Sequence, residues 1–587
     1  MTSTSHSADL PEPAPPTPGI SAAGDKWHPF GYSPLVLILA AILVVLILPA
    51  VIYLGQASLH ETNFDGSFGD FTFGYYLELV TGAQFLNNLI NALLYAVGSA
   101  VVAISTGVTL AWIVERTNTP LRHWVMIVSI VSLGIPSVLY TVSFLMLLGK
   151  VGPFNEFLMW VFSLDAPVLN VYSLWGMILI EGIEFAPLSF LLLSSVFRSN
   201  DASFEEASMM SGAGILRTFH NITFKLAMPG ILALVILIFI RAFESFETPA
   251  LVGLPGNVSV LTTDIYESIE ELPANYGQAG AFSVMLLFIV VGMLYAYNRL
   301  SRNAEKFQTI TGKGFRPRVM DLGRWRWASL AVLVLLFMII IGFPIGIVLW
   351  VSFVPYFDGV SLEALQLFTL DNYRTVAKAG SFRDAVGNTV ILGASTATIV
   401  APFTALCAWL AVRRYKGAWM LDQLATAPLI FPAIVMGVAF LQLILNMPFG
   451  LYGSLLSIII ASMVRYLPYG MRYSYAGILQ IHSELEEASA MSGARQSTTF
   501  IRIVLPLVAP AMLTCWLFVF LVSVKAVSIP ILLAGPKSQV VAVTLFDMWE
   551  NGITNELAAL GITWTAFMTL VSITFYWLAK RYGLTLR

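Results

Sequence analysis

Eight ionisable side chains stand inside long apolar runs of this sequence: Glu181, Glu184, Arg241, Glu244 and Glu247 in the first half, and Arg465, Arg472 and Lys525 in the second. A charge in such a run costs several kcal/mol unless it is paired or wetted, so residues of this kind are expected to hold, pass or block a polar cargo. Their spacing adds a second clue. Glu184 and Arg465 each stand three residues before a proline, Pro187 and Pro468, while Glu244 and Lys525 each stand five before Pro249 and Pro530. Matched positions therefore carry opposite charge. Such positions face each other if they lie near an axis relating two halves, where opposite signs offset the cost of burial. Glu184, Arg465, Glu244, Lys525, Arg241 and Glu247 are expected to line a central pathway, as gate pairs or as wetted groups. For Glu244 a local partner competes, because Arg241 lies three residues away on the same helical face.

Other chemistry is not supported by the residues. The six histidines have no ligand spacing, and Cys407 and Cys515 sit in apolar runs where a thiol behaves as a small hydrophobe. The nearest fragment to a phosphate-binding loop, Gly312-Lys313-Gly314, lacks both the upstream glycine and the Ser/Thr. No catalytic residue, metal site or bound cofactor is expected, and no clustered nucleophile or acid-base set points to a membrane-embedded enzyme. Nothing suggests nucleic acid as a partner.

The elements that position these charges are membrane spans. The chain has 587 residues, 57% hydrophobic and 11% charged, against about 25% charged in soluble domains. A span needs about 20 apolar residues, which gives about twelve, near 34–55, 86–114, 123–148, 170–197, 224–250, 281–298, 327–352, 384–412, 420–446, 454–480, 507–535 and 557–579. The lipid bilayer is thus the main solvent. Residues 1–33, rich in Pro, Ser and Thr, are expected to be a disordered cytoplasmic tail, and they lack the basic start of a signal peptide. Lys and Arg cluster in alternate loops, including Arg116, Arg122, Arg198, Arg217, the run from Arg299 to Arg326, Arg413, Arg414 and Lys416. The intervening loops carry Asp65, Asp70, Glu267, Glu270 and Glu271, so both termini are expected to be cytoplasmic.

An internal repeat organises these spans. Glu205-Glu-Ala-Ser-Met-Met-Ser-Gly-Ala213 recurs as Glu486-Glu-Ala-Ser-Ala-Met-Ser-Gly-Ala494, a shift of 281 residues with one difference in nine. Upstream a shift of 297 aligns Asn91 with Asn388, Trp112 with Trp409 and Arg116 with Arg413, and an insertion near 150–170 of the first half accounts for the difference. The expected fold is all-α, two homologous six-helix halves in parallel repeat. Its domains are 34–298 and 327–587, joined by a cytoplasmic linker at 299–326. Each repeated segment falls on a cytoplasmic loop between the fourth and fifth spans. Ser203 with Glu206, and Ser483 with Glu486, have the spacing of a capping box that would start a short helix. Gly212 and Gly493 would let the chain leave it. Such a helix, presented twice, suits docking of a partner.

The repeated Glu-Ala segment with its glycine resembles the EAA motif of binding-protein-dependent bacterial ABC importer permeases. The resemblance covers nearly all of the chain after the tail and implies the type I importer permease fold. It implies that the motif forms a coupling helix seated in a cleft of an ATPase homodimer, which would use ATP and Mg on the cytoplasmic side. Carried over by position, Glu205, Glu206, Ala207, Ser208 and Gly212 would dock against one ATPase subunit and Glu486, Glu487, Ala488, Ser489 and Gly493 against the other. Ser208 and Ser489 depart from the usual second alanine, and Lys225 stands where the second copy has Pro506, so less regular docking is expected of the first loop. The fused layout, with Phe246 to Pro255 and Ser528 to Ala534, looks like ferric-iron permeases of the bacterial inner membrane. Permeases for thiamine, polyamines, phosphonates or sulfate look similar. An external solute-binding protein would dock on loops 55–78 and 358–383. An ion-coupled secondary transporter, the rival class, would need no repeated docking loop.

Overall fold

In the computed structural model, residues 33–64, 66–199, 201, 203–304 and 319–581 are described. The proposed tail, apart from Ser33, and linker residues 305–318 lie outside them. Among the described residues, ten helices are long and apolar enough to cross a membrane, and an eleventh span is obtained if the bent pair Trp419–Ile430 and Ala433–Leu445 is taken as one. Leu455–Leu479 is not among these. It carries Arg465 and Arg472, yet it occupies the place of a fourth span, because it corresponds to Leu174–Ser199 of the first half. Among the described residues the architecture is the all-α double repeat, apart from one two-stranded hairpin, His60–Thr62 with Phe68–Phe71.

The third span is broken in both halves, where the apolar run alone suggested a continuous helix. In the first half Arg122–Ser132 stops, and Ser137–Leu148 starts after Pro136. In the second, Trp419–Ile430 and Ala433–Leu445 meet at 104° around Phe431 and Pro432. Proline has no N–H and fixes φ, so it favours a new helix start over continuation. The fifth spans are also shorter at their far ends than expected. They end at Phe243 and Lys525, and Pro249 and Pro530 begin separate short segments. Pro187 and Pro468 do lie inside helices. The first-half insertion appears as the helix Pro153–Phe162 and the loop that follows it.

Spans two and four form the tightest contact of the first half, through glycine. A Cβ on Gly107 would lie 2.7 Å from the Ser189 side chain and 3.0 Å from the Phe190 nitrogen, and one on Gly182 would lie 2.5 Å from Val102. Small residues let helix backbones approach where lipid offers no hydrophobic drive. This rigid pair carries both Glu181 and Glu184 and, at its other end, Arg116.

Candidate functional site: two docking helices and a charged axial cavity

The two repeated segments, expected to dock a partner, fold alike. Ser203–Met210 and Glu484–Met491 are short helices, each followed by a glycine in the left-handed region, Gly212 at φ 86° and Gly493 at φ 79°. No atom lies within 4 Å of a Cβ built on either glycine, so the requirement is conformational. The Ala213 and Ala494 amides donate back to the Ser208 and Ser489 carbonyls at 3.1 and 3.2 Å, closing the last turn. The expected capping boxes do not form. The Ser203 amide is taken by Asp201 Oδ1 at 2.8 Å, and Ser483 adopts a helical conformation with no side-chain cap.

The glutamates that open each repeat have a different task. Glu205 is 2% exposed, 3.5 Å from Arg116 Nε, and accepts from the Thr223 hydroxyl at 2.8 Å. Glu486 accepts from Arg413 Nε at 2.8 Å and from the Trp409 indole at 3.0 Å. Both face inward and tie the repeated short helix to the end of span two. Ser208 and Ser489, the departures from the family pattern, pair with Thr218 and Thr499 at 3.0 and 2.8 Å. Each helix is thereby fastened to the chain entering span five. That entry is a π-helical turn in both halves, Phe219–Thr223 and Phe500–Val504, so Lys225 against Pro506 leaves the two loops alike. Phe204 with Met210, and Leu485 with Met491, remain exposed at equivalent positions, as do Ala207, Ala488, Glu487, Gly212 and Gly493. Glu206 is half-buried.

A further clamp was not visible in the sequence. The chain entering the second half bridges to the loop after Arg116, with Met320 donating to the Arg116 carbonyl at 2.8 Å and Asn118 bonding Asp321 at 2.6 Å. The first of the repeated short helices is therefore braced by the junction between the halves.

The six charges expected to line a pathway come together. Glu184, Arg241, Glu244, Glu247, Arg465 and Lys525 all line one cavity of about 150 Å³, joined by Glu181. The halves meet here, because Glu247 Oε1 accepts from Ser528 Oγ at 3.2 Å and these two residues are 281 positions apart, the repeat shift itself. The partners are crossed relative to the sequence alignment. Arg465 pairs with Glu244 at 3.5 Å, with the side chains 5% and 8% exposed, rather than with Glu184. Glu184 instead shares the field of Lys525. The local alternative is also displaced, since the ion pair of Glu244 is to Arg465 and not to Arg241.

The broken third spans explain why these cations sit where they do. A helix that stops at membrane depth leaves carbonyls without partners, tolerable only where a cavity or a donor meets them. Lys525 Nζ donates to the Leu133 carbonyl in the first break at 3.1 Å, and Arg465 donates to the Phe431 carbonyl in the second at 2.7 Å. The Lys525 bond crosses between the halves, as do Glu244–Arg465 and Glu247–Ser528.

At the opposite end of span two from Arg116, the ten-residue helices Leu261–Glu270 and Val541–Glu550 approach each other. Their sixth residues, Tyr266 and Phe546, lie 6.2 Å apart in an edge contact, and Phe246 packs on both. Asn88 anchors this layer by donating to both oxygens of Asp264 at 2.8 and 2.9 Å. Burial pushes that carboxyl up to about 7.

Comparison with known proteins gives a consistent result. The family model "Binding-protein-dependent transport system inner membrane component" matches residues 103–302 and 400–584, once in each half. A ferric transport system permease protein, FbpB, of Actinobacillus pleuropneumoniae is 27% identical over 86% of this chain and 72% of its own length. A putative ferric transport system permease protein, FbpB 1, of Haemophilus influenzae is 27% identical over 80% of this chain and 72% of its own. The spermidine/putrescine permease protein PotB of Escherichia coli is 27% identical over 46% of this chain and 98% of its own.

Proposed function

Because this chain belongs to the family of inner membrane components of binding-protein-dependent transport systems, we propose that the cargo of this importer permease is ferric iron. The fused relatives that span both halves are ferric permeases, whereas the polyamine relative matches about one half. The chain is a transport subunit rather than an enzyme. A separate ATPase homodimer, using ATP and Mg, docks on Phe204–Gly212 and Leu485–Gly493. The observation that carries this reading is the duplicated helix, anchored by the same Glu–Arg and Ser–Thr contacts in both halves with matched apolar side chains left outside.

The docking helices face the cytoplasm, with both termini on the same side, which agrees with the Lys and Arg in the loops beside them. The external binding protein delivers cargo to the opposite face. The two permease domains are 34–298 and 327–587. Between the faces, Glu244–Arg465, Glu247–Ser528 and Lys525 with the Leu133 carbonyl act as a polar interlock that must part as the halves rock. Reconstitution into liposomes with the ATPase and the binding protein tests this reading. ATP-driven uptake of ferric iron is expected. Uptake of a polyamine or thiamine with no uptake of iron would reject the cargo, and uptake without any ATPase would reject the class.

A further inference from the structure

Beside the first turns of span two, at the end opposite Arg116, lies an open cavity of about 580 Å³ whose polar lining includes Gln84, Asn87, Asn88, Asn91, Asn257 and Glu267. Among the described residues no lysine or arginine lines it. The fold uses few of these polar atoms. Asn91 donates to the Ser259 carbonyl at 3.2 Å, and its counterpart Asn388 donates to the Gln539 carbonyl at 3.0 Å, so that amide belongs to the duplicated scaffold. Gln84, Asn87 and Asn88 align with Ser381, Asp384 and Ala385, so their amides do not. Asn88 is 6% exposed; its nitrogen is committed to Asp264, while its carbonyl oxygen accepts no hydrogen bond among the described residues. The side chains of Gln84, Asn87, Asn257 and Glu267 likewise have no hydrogen bond or ion pair there. Unpaired amides gathered round one cavity offer both donors and acceptors to a polar ligand.

The surroundings narrow the ligand. Span two, Ala83–Arg116, has 34 residues, about 51 Å at about 1.5 Å each, against a hydrocarbon core of about 30 Å, so turns at both ends pass into the headgroup layer. Leu86, Ile90, Leu94, Val97 and Val101 are exposed and recur every three or four residues, which makes one lipid-facing stripe. Ile90 also lines the cavity, which therefore opens sideways onto that stripe. A molecule whose polar end sits among the amides and whose apolar chain lies along the stripe satisfies both. We propose that the cavity holds the headgroup of a phospholipid whose tip is a primary ammonium, in the leaflet opposite the repeated short helices. The amide N–H groups of Gln84, Asn87 and Asn257 donate to its phosphate and ester oxygens, and its ammonium donates to Glu267 and to the free carbonyl oxygen of Asn88. Glu267 is the one charged liner among the described residues, and it also lines an adjoining cavity with Glu78, Asp264 and Glu271. That field favours a positive tip and opposes a lipid of net negative charge. No aromatic ring lines the cavity to face a quaternary ammonium, whereas its free acceptors suit N–H donors. The inference needs only that the chain spans a membrane, whatever the cargo.

Native mass spectrometry of the full chain in detergent micelles, titrated with lipids of one acyl composition, gives the affinity of the first lipid bound. Phosphatidylethanolamine is expected to bind about tenfold more tightly than phosphatidylcholine or phosphatidylglycerol. Methylating its nitrogen stepwise should weaken binding at each step, a result that needs no variant. Glu267→Gln, and separately Gln84→Ala/Asn87→Ala, should each weaken phosphatidylethanolamine about fivefold, with Glu267→Gln leaving phosphatidylcholine unchanged. Asp384→Asn, at the exposed place of the second half that matches Asn87, should change nothing. Equal affinity for the ethanolamine and choline lipids, tighter binding of phosphatidylglycerol, or indifference to methylation would overturn the proposal. So would a Glu267→Gln variant that keeps phosphatidylethanolamine in full but loses stimulation by an external binding protein, because the cavity would then receive that protein.

Discussion

Removing the charge of Glu244 should cost more than removing those of Glu244 and Arg465 together. The two charges are 3.5 Å apart and almost fully buried. At an effective dielectric of about 20 their attraction is about 5 kcal/mol, opposed by the loss of hydration of both groups. Stripping one partner leaves the other buried alone, at about 3–5 kcal/mol, whereas a neutral pair of similar size restores most of that. Some cost persists in the double variant, because the Phe431 carbonyl also loses its donor when Arg465 is replaced, worth about 1–3 kcal/mol. A coupling energy of about 2 kcal/mol or more is expected between Glu244→Gln and Arg465→Gln. Unfolding by SDS titration in mixed micelles measures it, with ATP-driven uptake as the functional reading. The charge exchange Glu244→Arg/Arg465→Glu should also recover assembly, while Glu184→Arg/Arg465→Glu should not. Additivity of the single variants within about 0.5 kcal/mol would refute the pairing.

Other outcomes follow from the same geometry. Gly212→Ala and Gly493→Ala place a side chain at positive φ, costing about 1–2 kcal/mol each, so affinity for the ATPase measured on nanodiscs should fall about 5- to 30-fold. Asn, which tolerates that conformation, should lose less than Val. Glu205→Ala should destabilise the chain more than Glu486→Ala, because the Arg116–Glu205 side chains are 1% and 2% exposed and those of Arg413–Glu486 are 17% and 14%. Thermal unfolding in detergent compares them. The Asp264 carboxyl, raised in the fold from 3.8 to about 7, binds its proton more tightly folded than unfolded. Its contribution to stability is therefore full below about pH 4 and declines as pH rises to about 7. Asp264→Asn should remove that part of the pH dependence, and an unchanged stability profile between pH 4 and 8 would contradict the assignment.

The sequence carried the repeat, the approximate positions of most spans and the convergence of the six charges, because each of these is set by composition or by a fixed offset along the chain. It did not carry the partners. The offsets identify Glu184 with Arg465 as equivalent residues, but equivalence about an axis fixes where side chains start, not which ones meet. Reach and rotamer decide that, and Arg465 extends to Glu244. The break at Pro136 was hidden because hydropathy is the same on both sides of it, whereas Pro432 marks its break as a proline inside an apolar run. The inward role of Glu205 and Glu486 was hidden by a local pattern, Ser-x-x-Glu, that suggested a cap. The signal for their true partners was present in the aligned Arg116 and Arg413, but those lie far upstream along the chain. The bridge from Met320 to Arg116 is a main-chain contact, to which side-chain types are nearly silent.

The central claim is that two equivalent helices grip one external motor. Cysteines placed at Met210 and at Met491, in a chain whose native Cys407 and Cys515 are buried, can be cross-linked in membranes carrying the whole transport system. Each should cross-link to an ATP-hydrolysing subunit, and both should be labelled by a membrane-impermeant thiol reagent only from the cytoplasmic side. Labelling from the outer side, or cross-links from neither position to a nucleotide-hydrolysing protein, would contradict the account.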